Sequence, residues 1–121
     1  MKVTVFGLVA SDKEQLAKAN QKKHEITLIS NELSPETVTF AHGKDAVITY
    51  GNGVSSAILN HLNRIGVKII FIPPLAFNDL TKQSAANLGI KLATTLSGSA
   101  EAAEYMIQIL DSYSSLTGNQ L

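Results

Sequence analysis

Residues 49–56, Thr-Tyr-Gly-Asn-Gly-Val-Ser-Ser, are the stretch of this chain best suited to chemistry. Gly51 and Gly53 stand one residue apart, between the strand-like run "DAVITY" (45–50) and the helix-like run "SSAILNHLNRI" (55–65). Glycines at such a junction let backbone come close to a ligand. The unpaired N–H groups that open a following helix favour an anion there. Three readings compete: a dinucleotide pyrophosphate, a smaller anion such as a carboxylate, or a plain turn with Ser55 as helix cap. The dinucleotide reading fails on the residues. Ser56 stands where the fingerprint needs its third glycine, the motif follows the third strand-like run and not the first, and no acidic residue ends a strand about 20 residues on. No Gly-Lys-Ser/Thr follows, so it is not a P-loop either. The residues leave the carboxylate cradle and the plain turn both open.

Other catalytic constellations are thin. The chain has no cysteine, which removes thiolate chemistry and thiolate metal sites. Asp45, Asp79 and Asp111 fall on different elements, and no metal-ligand or Ser-His-Asp spacing appears. His24, His42 and His61 lie in or beside predicted helices and are expected at the surface, without carboxylate partners. Arg64, the single arginine, lies inside a predicted helix. No catalytic residue and no metal ligand is therefore assigned. A phospho-receiver would need an aspartate at the end of the third strand, where Thr49 and Tyr50 stand, and a flavin phosphate would find only Ser11 after the first.

The elements that must position the glycine turn alternate along the chain. Strand-like runs at 2–8, 25–30, 45–50, 67–72 and 90–95 are separated by helix-like segments beginning at 11, 34, 55 and 78, and a last helix is expected over 99–113. Ser34-Pro35 has the capping and first-turn residues of a helix over 34–42. Gly43, Gly66 and Gly89 each follow a helix-like segment as stops. Such alternation predicts an α/β fold: a doubly wound, five-stranded parallel sheet of flavodoxin-like order 2-1-3-4-5, with helices on both faces. In that order the strands reverse direction of progress between the first and third, so the turn at 51–53 sits where such sheets bind ligands. At 121 residues the chain reads as one domain, 1–113, with a polar tail at 114–121.

Bulk composition narrows the partners. Ten basic and ten acidic residues cancel, giving no electrostatic footprint for nucleic acid or an anionic membrane. No run approaches the roughly 20 apolar residues of a membrane span, and the apolar start "MKVTVFGLVAS" reads as a buried strand, so a cytoplasmic protein is expected.

The order of four segments carries a family resemblance. "DAVITYGNG", "LNHLNRIGVKII", "FNDLTKQSAANLGIKLA" and "SGSAEAAEY" resemble, in order and spacing, the substrate-binding domain of the D-2-hydroxyacid dehydrogenases, D-lactate dehydrogenases above all, over about residues 1–113. The resemblance implies a grip on a small 2-hydroxy or 2-oxo acid by Tyr50, Gly51, Asn52 and Gly53, with Phe77 and Asn78 as weaker counterparts. It also implies what is missing. The family's NAD-binding domain and its Arg, Glu and His catalytic residues have no counterpart here, so NAD is expected only if a separate coenzyme domain completes the site. Hydride transfer by this chain alone is not expected. Pro73-Pro74-Leu75-Ala76 departs from the family's glycine-bearing turn and removes two N–H donors.

In the last helix, Ala102, Ala103, Met106, Ile107, Ile109, Leu110 and Tyr113 cover more than half the circumference, against the roughly 100° stripe of a surface helix. The surplus predicts a homodimer or partner-protein contact through Ala102, Met106, Ile109 and Tyr113, and leaves an interaction module without a small ligand as the alternative function. Glu101 and Glu104 suit the helix dipole.

Overall fold

A computed structural model describes the backbone of residues 1–51 and 53–118. Strands β1 (Lys2–Phe6), β2 (Glu25–Ile29), β3 (Ala46–Thr49), β4 (Ile69–Ile72) and β5 (Lys91–Thr94) form one sheet in the order β2-β1-β3-β4-β5, and every pairing is parallel. This is the expected flavodoxin-like arrangement. Helices α1 (Lys13–Asn20), α2 (Ser56–Arg64), α3 (Asp79–Leu88) and α4 (Ala100–Gly118) connect and close it.

The side-chain period of two sorts each strand between two cores. Phe6, Val47, Ile70 and Ile72 join Ile58, Leu59 and Leu62 of α2 and Ala85 of α3 on one face. Val3, Val5, Ile48, Ile69 and Phe71 join Leu16 of α1 and Ala103, Met106, Ile107 and Leu110 of α4 on the other. All four residues of β3 and of β4 are buried, which is why those runs carry no polar alternation. The edge strand β2 is only partly covered, and it is the run that mixes Thr and Glu with its Ile and Leu.

Two local expectations need correction. Residues 34–42 do not form an α-helix. Ser34 and Thr37 exchange hydrogen bonds, Ser34 N–H to Thr37 Oγ1 at 2.9 Å and Thr37 N–H to Ser34 Oγ at 3.3 Å, and only a 3-10 turn over Val38–Ala41 follows. Thr37, Val38 and Thr39 are consecutive β-branched residues, poor helix formers, and the hydroxyls offer the backbone an alternative to the helical ladder. The last helix also continues past 113, through Gly118; residues 119–121 lie outside the described residues.

Candidate functional site

The carboxyl ends of β1 and β3 lie side by side, as the strand order requires. Tyr50 N–H donates to Phe6 O at 3.1 Å, carrying the pairing one residue beyond β3. Thr95 Oγ1 donates to Thr49 O at 2.9 Å, tying the end of β5 to the same rim. After Tyr50 the chain leaves the sheet through Gly51 and Gly53 and enters α2 at Ser55, whose Oγ accepts from Ile58 N–H at 3.2 Å. Ser55 is thus the cap the sequence indicates. Gly51 N–H makes a long bond of 3.3 Å to Thr49 Oγ1. The N–H groups of Gly53 and Val54 have no partner among the described residues and are free to hold a ligand's oxygens. Asn52, the fourth position expected to contact a substrate, lies outside the described residues.

One residue that the sequence reading did not single out reaches this turn. Glu32, in the loop after β2, lays its side chain across Gly7 and Gly51. A Cβ built on Gly51 would stand 3.4 Å from Glu32 Cδ and 3.5 Å from Oε1, and one on Gly7 would stand 3.6 Å from Glu32 Cγ. These are ordinary van der Waals distances, so the glutamate stem rests against both glycines. Gly7 itself takes φ +68°, a left-handed backbone that suits glycine. The Glu32 backbone is held in turn, since Thr37 Oγ1 donates to its carbonyl at 2.6 Å. The turn is thus a backbone donor site with a carboxylate along one wall. That wall is a poor fit for a dinucleotide pyrophosphate, which would meet like charge where it needs donors.

On the other side of the sheet end stand two buried polar side-chain ends, the Asp12 carboxylate and the Tyr50 hydroxyl. Asp12 Oδ1 accepts from Gly98 N–H at 3.0 Å, while Asp12 Oδ2 and the Tyr50 hydroxyl are both buried without a partner among the described residues. Burial, reinforced by the Asp12 charge, pushes the Tyr50 phenol up to about 12. Tyr50 is therefore a neutral donor at physiological pH. Its ring packs against the core shared with α1 and α4, and its hydroxyl is buried there.

The weaker counterparts are engaged elsewhere. Asn78 caps α3: its Oδ1 accepts from Thr81 N–H at 2.9 Å and Thr81 Oγ1 at 3.1 Å. Phe77 packs against the core beneath α2 and α3. Both stand after β4, on the same rim as the turn.

His24 corrects the expectation of three surface histidines. It is buried, its Nε2 lies 2.7 Å from Asp111 Oδ1, and its Nδ1 lies 3.2 Å from the Met1 amino group. An ammonium only donates, so Nδ1 accepts and Nε2 carries the proton that goes to Asp111. This pair sits before β2 and near the end of α4, at the amino ends of the strands and away from the glycine turn. His42 is exposed and His61 half-buried. Among the described residues no cluster of three histidines, cysteines or carboxylates could hold a metal ion. No described helix is long and apolar enough to cross a membrane.

Of the four residues expected at an interface, Ala102 and Met106 are buried inside this chain's own core. Much of the apolar surplus of α4 is therefore used within the domain. Ile109 and Tyr113 are half-buried and, with the exposed Tyr105, line a shallow groove against Lys91, Ala93 and Thr94 of β5.

No protein-family model matches the chain. Individual proteins do. It is 34% identical over 116 residues to 2-hydroxyacid dehydrogenase A of Aspergillus oryzae, covering 91% of this chain and 33% of that protein. It is 34% identical over 117 residues to D-lactate dehydrogenase kk1H of Curvularia clavata, covering 91% of this chain and 34% of the relative. Among solved structures, the apo form of D-lactate dehydrogenase from Escherichia coli superposes with a TM-score of 0.69 at 29% identity, covering 76% of this chain and 30% of that one. The likeness expected from the four segments therefore stands, in sequence and in fold. The chain spans about a third of the length of the curated relatives it matches.

Proposed function

From this kinship with part of the D-2-hydroxyacid dehydrogenases, we propose that the chain forms the substrate-facing side of a 2-hydroxyacid dehydrogenase-like site. Its backbone at Gly51–Gly53 holds the carboxylate of a small 2-hydroxy or 2-oxo acid. The observation that carries this reading is the placement of the turn: it lies between the ends of β1 and β3, where strand order reverses, with the N–H groups of Gly53 and Val54 free. Backbone donors bind a carboxylate without needing a cationic side chain.

Hydride transfer also needs a nicotinamide and a proton-transfer group beside the reacting carbon. Of the titratable groups on this rim, Glu32 borders the turn, and Asp12 and Tyr50 have buried oxygens without partners among the described residues. This chain's share is therefore binding and orientation. NAD and the proton donor belong to a coenzyme-binding unit outside residues 1–121.

An amide NMR titration with D-lactate, pyruvate and NADH in turn tests the assignment. Saturable shifts centred on Gly51, Gly53 and Val54 with an acid, and none with NADH, are expected. Silence at those amides with both acids would remove the carboxylate site.

A further inference from the structure

The outer side of the edge strand β2 is unused. β2 pairs with β1 alone. Glu25 N–H donates to Met1 O and Ile29 O accepts from Gly7 N–H, each at 2.9 Å, so Glu25, Thr27 and Ile29 turn their backbone groups towards β1. The N–H and C=O groups of Ile26 and Leu28 therefore point outwards, without a partner among the described residues. Natural sheets blunt such an edge with a proline or a bulge. Residues 25–29 carry neither, reading Glu-Ile-Thr-Leu-Ile and keeping register with β1 throughout. Leu28 is 39% exposed, and beside it a groove of about 390 Å³ runs between β2 and α1, lined by Leu16, Ala17, Ile26 and Leu28.

We propose that this edge pairs with the same edge of a second copy of the chain, antiparallel about a two-fold axis at Thr27, joining the two sheets into one. A two-fold axis makes such a contact self-complementary. The backbone chooses the register. Centred on Ile26, the pairing would set Leu28 against His24, whose N–H and C=O are already held by the Asn20 side chain at 3.0 and 2.9 Å. Centred on Leu28, it would set Ile26 against Ser30, beyond the end of β2. Centred on Thr27, Ile26 of each copy meets Leu28 of the other, and every outward N–H and C=O of both residues finds a partner. This register lays Leu28 of the second copy beside Ile26 and the groove, and opposes the two Thr27 side chains on the other face. Charge agrees with it. Lys22 and Glu32 each stand five residues from Thr27, on opposite sides, so each copy's Lys22 approaches the other's Glu32. Neither makes an ion pair among the described residues. The contact does not depend on the carboxylate site.

Sedimentation equilibrium of the 121-residue chain tests it. A monomer–dimer equilibrium is expected, with a Kd on the order of 100 µM, as suits a contact at the small end of interface sizes. Leu28→Pro removes an outward N–H and leaves the bonds to β1 intact, the setting in which an edge strand accepts proline. It should weaken the dimer at least about tenfold. Lys22→Glu places like charges together twice in the symmetric contact and should weaken it about tenfold at low salt. Adding Glu32→Lys to Lys22→Glu should restore it. Lys22 and Glu32 are exposed, so the charge variants keep the fold and decide the matter if Leu28→Pro does not fold. A chain still monomeric at about 1 mM overturns the proposal. So does a dimer that either folded single variant leaves unchanged, or a Lys22→Glu defect that Glu32→Lys does not rescue.

Discussion

The two ends of the sheet handle polar groups in opposite ways. At the amino ends of the strands a set of polar groups is matched. The Asn20 side chain donates to His24 O at 2.9 Å and accepts from His24 N–H at 3.0 Å. His24 and Lys23 share Asp111, each at 2.7 Å, and Asp45 accepts from Lys2 N–H at 2.8 Å. These bonds hold α1, β2 and α4 together where the backbone turns through Gln21 and Lys22, both at positive φ. At the carboxyl ends, among the described residues, Asp12 Oδ2 and the Tyr50 hydroxyl are buried without partners, Glu32 makes no ion pair, and the N–H groups of Gly53 and Val54 are open. A buried polar group without a partner costs stability. The difference says which end was shaped for holding the fold and which retains donors and acceptors for something else.

The contrast breaks most visibly at Asn20. Asn20→Ala strands a buried N–H and a buried carbonyl of His24 together. It should cost about 2–4 kcal/mol, read as a lower urea midpoint at unchanged slope. A loss below about 0.5 kcal/mol would mean water replaces the side chain and the amino end is not specially matched.

Tyr50 sharpens the comparison from the other end. Its phenol ionises at about 12 in the folded chain against 10.0 for an ordinary tyrosine, a pKa raised by folding. The stability linked to it is complete below pH 10 and is lost as pH rises toward 12, because the unfolded chain releases its proton first. Because Tyr50 is only partly withdrawn from water, screening trims the loss to on the order of 1 kcal/mol, followed as the denaturant midpoint across that window. Tyr50→Phe should remove this alkaline loss. At neutral pH it should be neutral or slightly stabilising, having deleted an unpaired hydroxyl. An equal alkaline loss in the variant would assign the effect to other groups.

The smallest effect belongs to Asp111. Burial alone would raise its carboxyl, but hydrogen bonds from Lys23 and His24, with the Lys23 charge, outweigh this and hold it below 3.8. A lowered carboxyl contributes stability that is present above pH 3.8 and lost as pH falls through the folded value. More than a third of the side chain is open to water, so screening keeps the contribution small. Stability measured from pH 6 down to 3 should fall less steeply in Asp111→Asn than in the unaltered chain, and identical slopes would show that the pair contributes nothing.

Much of the fold was legible because burial on both faces writes itself into composition. "AVIT" and "IIFI" have no polar alternation because β3 and β4 are covered on both sides. Gly89 marked the end of α3, where the structure places it at φ +73°. The segment 34–42 misled for a local reason: Ser34 and Pro35 are good openings, but the β-branched residues behind them do not propagate a helix. Strand order, in turn, contained the signal for Glu32. Once β2 and β3 flank β1, the loop after β2 must pass near the turn after β3, and its acidic residue becomes a candidate. The partner of His24 had no such signal, being 87 residues away on the last helix.

By itself, then, the sequence determined the alternation of strands and helices, the strand order, the place of the glycine turn and the likeness to part of the 2-hydroxyacid dehydrogenases. All of these follow from periodicity, local turn chemistry or residue order. Only the tertiary structure decided that Ala102 and Met106 face inward, that His24 is locked to Asp111, and that Glu32 lies over Gly51. Those facts are contacts between residues distant along the chain. They depend on how the layers pack around the sheet, which local patterns do not encode.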